Sequence, residues 1–488
     1  MNDHLNKLYP SALWESFAGI CNIPHPSKHE EKILAWLKEW AKTNNIECEQ
    51  DETGNLIMRK PATPGMENRI PVILQGHVDM VPQANSDKKH DFTTDSIITK
   101  IGEDGWLRAD GTTLGADNGI GCAAGMALLL TKDVPHGPIE VLLTVDEETG
   151  MTGAFGLKKG FIKGDILINL DSETEGELYV GCAGGMDANI TRDYTVEPTP
   201  ANMKGIEIFI SGLKGGHSGM DINLGRANAN KLMTRLLMKA KENLELRIAT
   251  ITGGSLRNAI AREAKAVTAV PADKVQELET FVKNCAEVLR KEFSATEPDL
   301  KIETISVELP KEVVTANCDT PILQLAYALP HGVLRMSDSM KELVETSNNF
   351  AIFNLKDGKL LMANLIRSSV DSAKDAVGEK MKSIAEMAGA NITLTGGYPG
   401  WKPNMESTIL KTAMKTYQEK YGKEPKIMAI HAGLECGLFG VSYPNWDMIS
   451  CGPTIMNPHS PDERVHIESV GKFWDFLVTL MGNIPVKG

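Results

Sequence analysis

The sequence predicts an α/β protein: a mostly parallel sheet sandwiched by helices, carrying an inserted α+β lid domain. Three observations predict it. The 488 residues exceed what one hydrophobic core usually organises, so two domains are expected. In both flanks of the chain short apolar runs alternate with helical patterns, as in a parallel sheet covered on both faces. From about 186 to 395 the pattern changes to longer strands with helices between them, the mark of an antiparallel sheet with helices on one face. The first domain then comprises 1–185 and 396–488, and the insert 186–395. Gly396-Gly397-Tyr398-Pro399-Gly400 supplies turn residues at the return.

Taken in order, Ser27 followed by Glu30 reads as a capping box that opens an amphipathic helix over 28–43, with Ile33, Leu34, Leu37 and Ala41 on one face. Strands are predicted at 70–75, 139–145, 165–170, 426–430 and 448–451, because each is a short apolar run bounded by turn residues. Helices are expected between them, notably the small-residue run 119–130 and 405–421. The insert reads as strand 205–213, helix 227–243, strands 247–253 and 259–270, and helix 272–289. Strands 301–307, 349–355 and 359–366, helix 372–388 and a strand at Ile392 follow.

Composition bounds the function. With 42% hydrophobic and 24% charged residues the chain is that of a folded globular protein. A net charge of -13 with mixed signs along the chain excludes a basic face for nucleic acid. The start, MNDHLNKLYPSALWESF, lacks the pattern of a signal peptide, and no run approaches the ~18 apolar residues of a membrane span. Residence in the cytosol, away from membranes, is expected. The eight cysteines are scattered singly without a Cys-x-x-Cys pair, so reduced thiols are expected.

Metal-binding side chains fall where the predicted strands end, and in open α/β sheets ligands gather at the carboxyl ends of strands. Gln75-Gly76-His77-Val78-Asp79 follows one apolar run; period-two alternation puts His77 and Asp79 on one side, where the carboxylate can accept the second imidazole proton. Leu114-Gly115-Ala116-Asp117-Asn118-Gly119 leads into a helix, and Asp117 there reads equally as an N-cap. Asp146-Glu147-Glu148-Thr149-Gly150 places three adjacent carboxylates at a strand end, where they repel unless a cation or proton offsets them. Asn169-Leu170-Asp171 and Asn457-Pro458-His459 complete the set. Each motif is bland alone; two histidines and three carboxylates on one rim form the mixed N/O set that zinc accepts.

In this order the motifs His77-x-Asp79, Ala116-Asp117-Asn118-Gly119, Asp146-Glu147-Glu148-Thr149-Gly150, Asp171 and Asn457-Pro458-His459 resemble the co-catalytic zinc aminoacylase/carboxypeptidase superfamily, and within it the aminoacyl-histidine dipeptidase branch. The resemblance covers essentially the whole chain. It implies a cytoplasmic metallopeptidase that hydrolyses unblocked dipeptides, preferentially Xaa-His and including the β-alanyl-histidine type. Two zinc ions per subunit are implied, replaceable by cobalt or manganese. Asp117 would bridge both ions, with a cis peptide to Asn118. His77 and Asp171 would complete one ion's set, and Glu148 and His459 the other's. Glu147 would be the general base and Asp79 the partner of His77. The sequence does not order the two glutamates; the family pattern makes the first the base.

Two ions ~3.5–4 Å apart lower the pKa of a water between them, whose proton a nearby carboxylate takes and later returns to the leaving amine. Gly215-Gly216-His217-Ser218-Gly219 is the best candidate for an oxyanion donor, through His217. Arg367, at the end of a predicted strand, is placed to clamp a C-terminal carboxylate through its planar fork. Asn258 is a further substrate-contact candidate. His431-Ala432-Gly433 follows a predicted strand and is expected to line the pocket, the resemblance implying that the Gly433 backbone meets substrate, while His431 reads equally as wall or core. The resemblance also implies a homodimer formed through the lid, with His217 acting in cis or across the dimer. An N-acyl amino acid deacylase or an aminotripeptidase on the same scaffold, and a catalytically inactive binding protein, are the alternatives.

Overall fold

A computed structural model describes residues 2–487 and divides into two compact units: Met1–Gly181 with Pro403–Ala429 and Leu434–Gly488, and Cys182–Lys402 with Ile430–Gly433. The first unit is built on an eight-stranded sheet in the order Glu47–Gln50, Leu56–Lys60, Ile139–Thr144, Val72–His77, Ile166–Asn169, Asp447–Ser450, Glu177–Cys182, Lys426–Ile430. Its centre is parallel: Val72–His77 runs alongside both Ile139–Thr144 and Ile166–Asn169, and Ile166–Asn169 alongside Asp447–Ser450. Every residue of the first three is buried, as expected of strands covered on both faces. The flanks are antiparallel, through the Glu47–Gln50/Leu56–Lys60 pair and through Glu177–Cys182.

Helix Ala116–Leu130 packs on Val72–His77 and on Ser11–Cys21. Its small residues are there for contact: a Cβ on Gly121 would stand 2.6 Å from the Leu170 carbonyl oxygen, and one on Gly125 2.8 Å from Val141. This helix therefore sits against the strands at a distance that larger side chains would not permit. Its first turn carries Asp117.

The second unit is a nine-stranded sheet: Lys301–Val307, Met203–Ser211, Ala264–Pro271, Arg247–Gly253, Val344–Lys356, Lys359–Ser368, Gly184–Asp193 and Asn391–Tyr398, with Gly332–Met336 pairing on Val344–Lys356. Its ladders are antiparallel. Helices Ala229–Leu244, Val275–Glu292, Ala316–Ala328 and Asp371–Met387 contribute Leu236, Leu278, Ile322 and Met381 to a core that includes Ile208, Phe350 and Phe353 of the sheet. Among the described residues no helix is long and apolar enough to cross a membrane, and no cysteine is joined to another in a disulfide.

Several expectations are corrected. The capping box fails: the helix is Glu31–Thr43 with Glu30 at its N-cap position and no side-chain cap, so Ser27 stands too far ahead of the first turn; its hydroxyl donates to the buried Asp79 carboxylate at 2.7 Å, and Glu30 accepts from the Lys28 N–H at 2.9 Å. The predicted strand 259–270 begins only at Ala264. The helix predicted over 272–289 starts with a 3₁₀ turn, Ala272–Lys274, and runs as Val275–Glu292. Strand Gly184–Asp193, helix Ala316–Ala328 and helix Ile467–Asn483 were not anticipated.

Candidate metal centre and active site

Strand burial fixes the first ligand candidate. His77 is the last residue of Val72–His77 and 1% exposed. Its Nδ1 lies 3.0 Å from the Asp79 carbonyl oxygen and 3.5 Å from the Asp79 carboxylate. The carbonyl, rather than the carboxylate the sequence suggested, is therefore the nearer acceptor. A proton held on Nδ1 leaves the Nε2 lone pair to face a cation, as in ligating histidines. Nε2 lies 3.2 Å from Asp117 Oδ1 and 3.3 Å from Asp171 Oδ1.

Asp117 is placed by helix Ala116–Leu130, in whose first turn the Asp117–Asn118 peptide is cis. Asn118 donates to the Leu170 carbonyl at 2.8 Å, tying this turn to the strand end that precedes Asp171. The two Asp117 oxygens are divided between two histidines: Oδ1 faces His77, and Oδ2 lies 3.3 Å from His459 Nε2. His459 Nε2 is also 2.9 Å from Glu148 Oε2. Two triads result, His77–Asp117–Asp171 and Asp117–Glu148–His459. In each, one ligand atom per residue lies within 4.8 Å of the others.

Electrostatics match this geometry. Burial opposes ionisation of Asp117, yet hydrogen bonds to His459 and His77 hold its carboxyl well below the ordinary range. Burial, reinforced by Asp117 and relieved by His77, pushes Asp171 up to about 7. Hydrogen bonds to Asp117 and Glu148 push His459 up to about 11. Burial alone would lower His77, but Asp171 and hydrogen bonds to three carboxylates raise it well above its ordinary value. The cluster thus demands positive charge from its imidazoles. Glu148 Oε1 is buried without a hydrogen-bond partner, as an acceptor oxygen of an N/O cation site is before coordination. The residues present fit a pair of divalent ions.

The glutamates separate by position. Glu148 joins Asp117 and His459, whereas Glu147 groups only with His77 and Glu148. Burial, with Asp171, Glu435 and Glu148 adding to it against His77, raises the Glu147 carboxyl well above its usual value, which suits a proton acceptor. Asp79 does more than face His77: its two oxygens accept the backbone N–H groups of Glu147 at 3.0 Å and Glu148 at 3.3 Å. Asp146, the third adjacent acid, turns away in the left-handed region at φ 55 and pairs with Lys28 at 3.0 Å.

Two acids went unread as site residues. Glu435 is fully buried; its Oε2 accepts from Gln75 at 2.6 Å and Thr144 at 2.9 Å. Asn169 in turn donates to Gln75 at 2.6 Å, so a polar chain crosses the ends of the three strands beneath the ligands. Burial, eased by His77 and Thr144, pushes Glu435 up to about 8. Glu463 accepts from the backbone around Asp117. Neither position carries a local sequence signal beyond standing near another motif.

The remaining candidates belong to the second unit. His217 Nδ1 accepts the backbone N–H groups of Gly219 at 3.2 Å and Met220 at 3.1 Å, so the neutral ring carries its proton on Nε2, free to donate. Burial and Arg367, against Asp221, lower its pKa and keep it neutral. Gly219 cannot be replaced here: a Cβ would stand 2.1 Å from the His431 carbonyl oxygen. Arg367 is 5% exposed and bonded only to neutral oxygens, Ser218 Oγ at 3.3 Å and Tyr398 OH at 3.2 Å. Asn258 has an exposed side chain, and its carbonyl accepts from Ser218 N at 2.8 Å. Gly433 is half-buried. His431 is buried, bonded to Ser347 Oγ at 2.7 Å and driven down to about 3 by burial and Arg367.

Residues 73–483 match "Peptidase family M20/M25/M40". The chain is 49% identical over 483 residues, 99% of each protein, to the cytosol non-specific dipeptidase of Escherichia coli K12. It superposes on the crystal structure of an aminoacylhistidine dipeptidase from Vibrio alginolyticus with a TM-score of 0.94, at 48% identity and 100% coverage of both chains. It shares a fold at 18% identity, TM-score 0.56, with an aminopeptidase PepT from Bacillus cereus, covering 98% of this chain and 99% of that one. With the family matched along most of its length and a full-length relative near half identity, the chain belongs to the peptidase family M20/M25/M40.

Proposed function

We propose that the protein is a cytosolic, metal-dependent dipeptidase that cleaves unblocked dipeptides, Xaa-His among them, with two zinc ions per chain. The observation that carries this reading is the division of the Asp117 carboxylate between His77 and His459. One carboxylate shared by two histidine-bearing triads is a donor set for two ions. His77, Asp117 and Asp171 would hold one; Asp117, Glu148 and His459 the other. Such ions supply Lewis acidity, lowering the pKa of a water molecule and polarising the scissile carbonyl. Glu147 receives the water's proton and hands it to the leaving amine. Asp79 keeps Glu147 and Glu148 in register through their backbone N–H groups.

In the inserted unit we assign His217 Nε2–H to the developing oxyanion and Arg367 to the substrate's C-terminal carboxylate, with Asn258 and the Gly433 backbone as further contacts and the same unit forming a homodimer. The buried guanidinium of Arg367, bonded only to hydroxyls, supports this: a charge-assisted bidentate partner is what such a group lacks. Arg367→Ala is expected to raise KM for dipeptides about 10- to 100-fold, the worth of a hydrogen bond to a charged group, with a smaller change in kcat. An unchanged KM would remove Arg367 from the clamp.

Substrate range is tested by steady-state kinetics on one zinc-loaded preparation. Dipeptides, with Xaa-His and β-alanyl-histidine in the panel, are expected to give kcat/KM at least tenfold above matched tripeptides and N-acetyl amino acids. Turnover greatest on N-acetyl amino acids would make it a deacylase; greatest on tripeptides, an aminotripeptidase.

A further inference from the structure

The Glu463 carboxylate is 2% exposed and spends all its acceptor capacity on four consecutive backbone N–H groups. Oε2 accepts from Leu114 at 2.7 Å and Gly115 at 3.0 Å; Oε1 accepts from Ala116 at 2.8 Å and Asp117 at 3.3 Å. These are donors at the opening of helix Ala116–Leu130, which have no partners within the helix. Gly115, at φ 70 with no side chain, cannot cap them. The cap instead arrives from 346 residues downstream of Asp117.

Its origin matters, because Glu463 stands four residues after His459. His459 has a side chain 52% exposed and a backbone φ of 61. It lies in the loop between the short paired strands Ile455–Met456 and Arg464–His466, whereas His77 ends a wholly buried strand. Its loop is tied internally by Ser460 to the Asn457 carbonyl at 3.0 Å. Beside the strand pairing at its base and the His459–Asp117 contact at 3.3 Å, the Glu463 carboxylate fastens that loop to the Asp117 turn.

We propose that Glu463 is a positioning residue that holds the His459 loop against the Asp117 turn and thereby sets the affinity for the ion that Asp117, Glu148 and His459 bind. The inference rests on the two-ion reading above. Its effect is unequal by construction. His77 and Asp171 are placed by the sheet, so the ion they share with Asp117 depends on Glu463 through one ligand only. The other ion depends on it through two.

The test is a zinc titration with a competing chromophoric chelator on wild type, Glu463→Gln, His459→Ala and the double variant, each first stripped of metal. Glu463→Gln keeps one acceptor oxygen but turns an amide NH₂ toward two of the four N–H groups, leaving them unpaired. Glu463→Asp keeps the charge and shortens the arm, and serves as the second variant should the first fold poorly. Both should weaken one ion about 10- to 100-fold, the usual scale for a residue behind the ligands, and leave the other within about threefold. The double variant should lose less than the two single losses combined, because part of what Glu463 does is done through His459. Wild-type affinity for both ions in Glu463→Gln and Glu463→Asp would overturn the proposal. So would equal weakening of both ions with a lowered Tm of the metal-free protein, which marks a general structural role. Wild type that binds no zinc would instead overturn the two-ion reading itself, and this inference with it.

Discussion

Replacing Glu147 with alanine is expected to lower kcat on a dipeptide by about two to four orders of magnitude, the usual contribution of a general base, while both ions remain bound. The expectation follows from where Glu147 stands. It lies outside the triad of Asp117, Glu148 and His459, so its removal takes no ligand from that ion. Its backbone is held by Asp79 at 3.0 Å whatever the side chain, so the loop and Glu148 should keep their places. Burial and the neighbouring acids raise its carboxyl well above the ordinary value, giving it a proton affinity fit for the role. Elemental analysis alongside kinetics checks both halves. Full activity, or loss of metal in parallel with activity, would reject the role assigned to Glu147.

Asp117→Ala should have the larger effect. Asp117 is the only residue common to both ligand triads, and its two oxygens meet His77 at 3.2 Å and His459 at 3.3 Å. Alanine removes one ligand from each ion and the carboxylate that raises both imidazoles. Metal content should fall from two ions to below one per chain, and activity by about 10⁴-fold or more, since each ion supplies several kcal/mol of transition-state charge stabilisation. Circular dichroism should be unchanged, because the helix that carries Asp117 is packed through Ala116, Ile120 and the small residues beyond it. A variant that still bound two ions and turned over at the wild-type rate would show that Asp117 bridges nothing.

Much of the site was legible because ligands near strand ends inherit the strands' own signal. The apolar run before His77 and those before Glu147 and Asp171 are continuous and buried, and a continuous run locates its end within a residue or two. Asp117 was harder. Its surroundings suit an N-cap, and only the structure puts it inside the first turn with its oxygens split between two histidines.

What the sequence hid are relations across long separations. Glu463 reaches Asp117 over 346 residues and Glu435 reaches Gln75 over 360; the first lies in a loop and the second opens the helix Glu435–Ser442, where the local pattern names only their neighbours. Ser27 misled for the mirror reason: it sits where a capping serine belongs, but the helix opens only at Glu31 and the Ser27 hydroxyl donates to a buried carboxylate 52 residues away. In the inserted unit, Gly184–Asp193 carries its core side with Met186, Ala188 and Ile190. Two glycines and a small residue weaken that alternation below the level at which strands are recognised.

The central claim is that five side chains distant in sequence hold two cations that share Asp117. Anomalous diffraction from zinc-soaked crystals, recorded on both sides of the zinc absorption edge, tests it most directly. The account predicts two peaks per chain, both against the Asp117 carboxylate, one also touching His77 and Asp171, the other Glu148 and His459. A single peak, or peaks that leave either histidine uncoordinated, would contradict it.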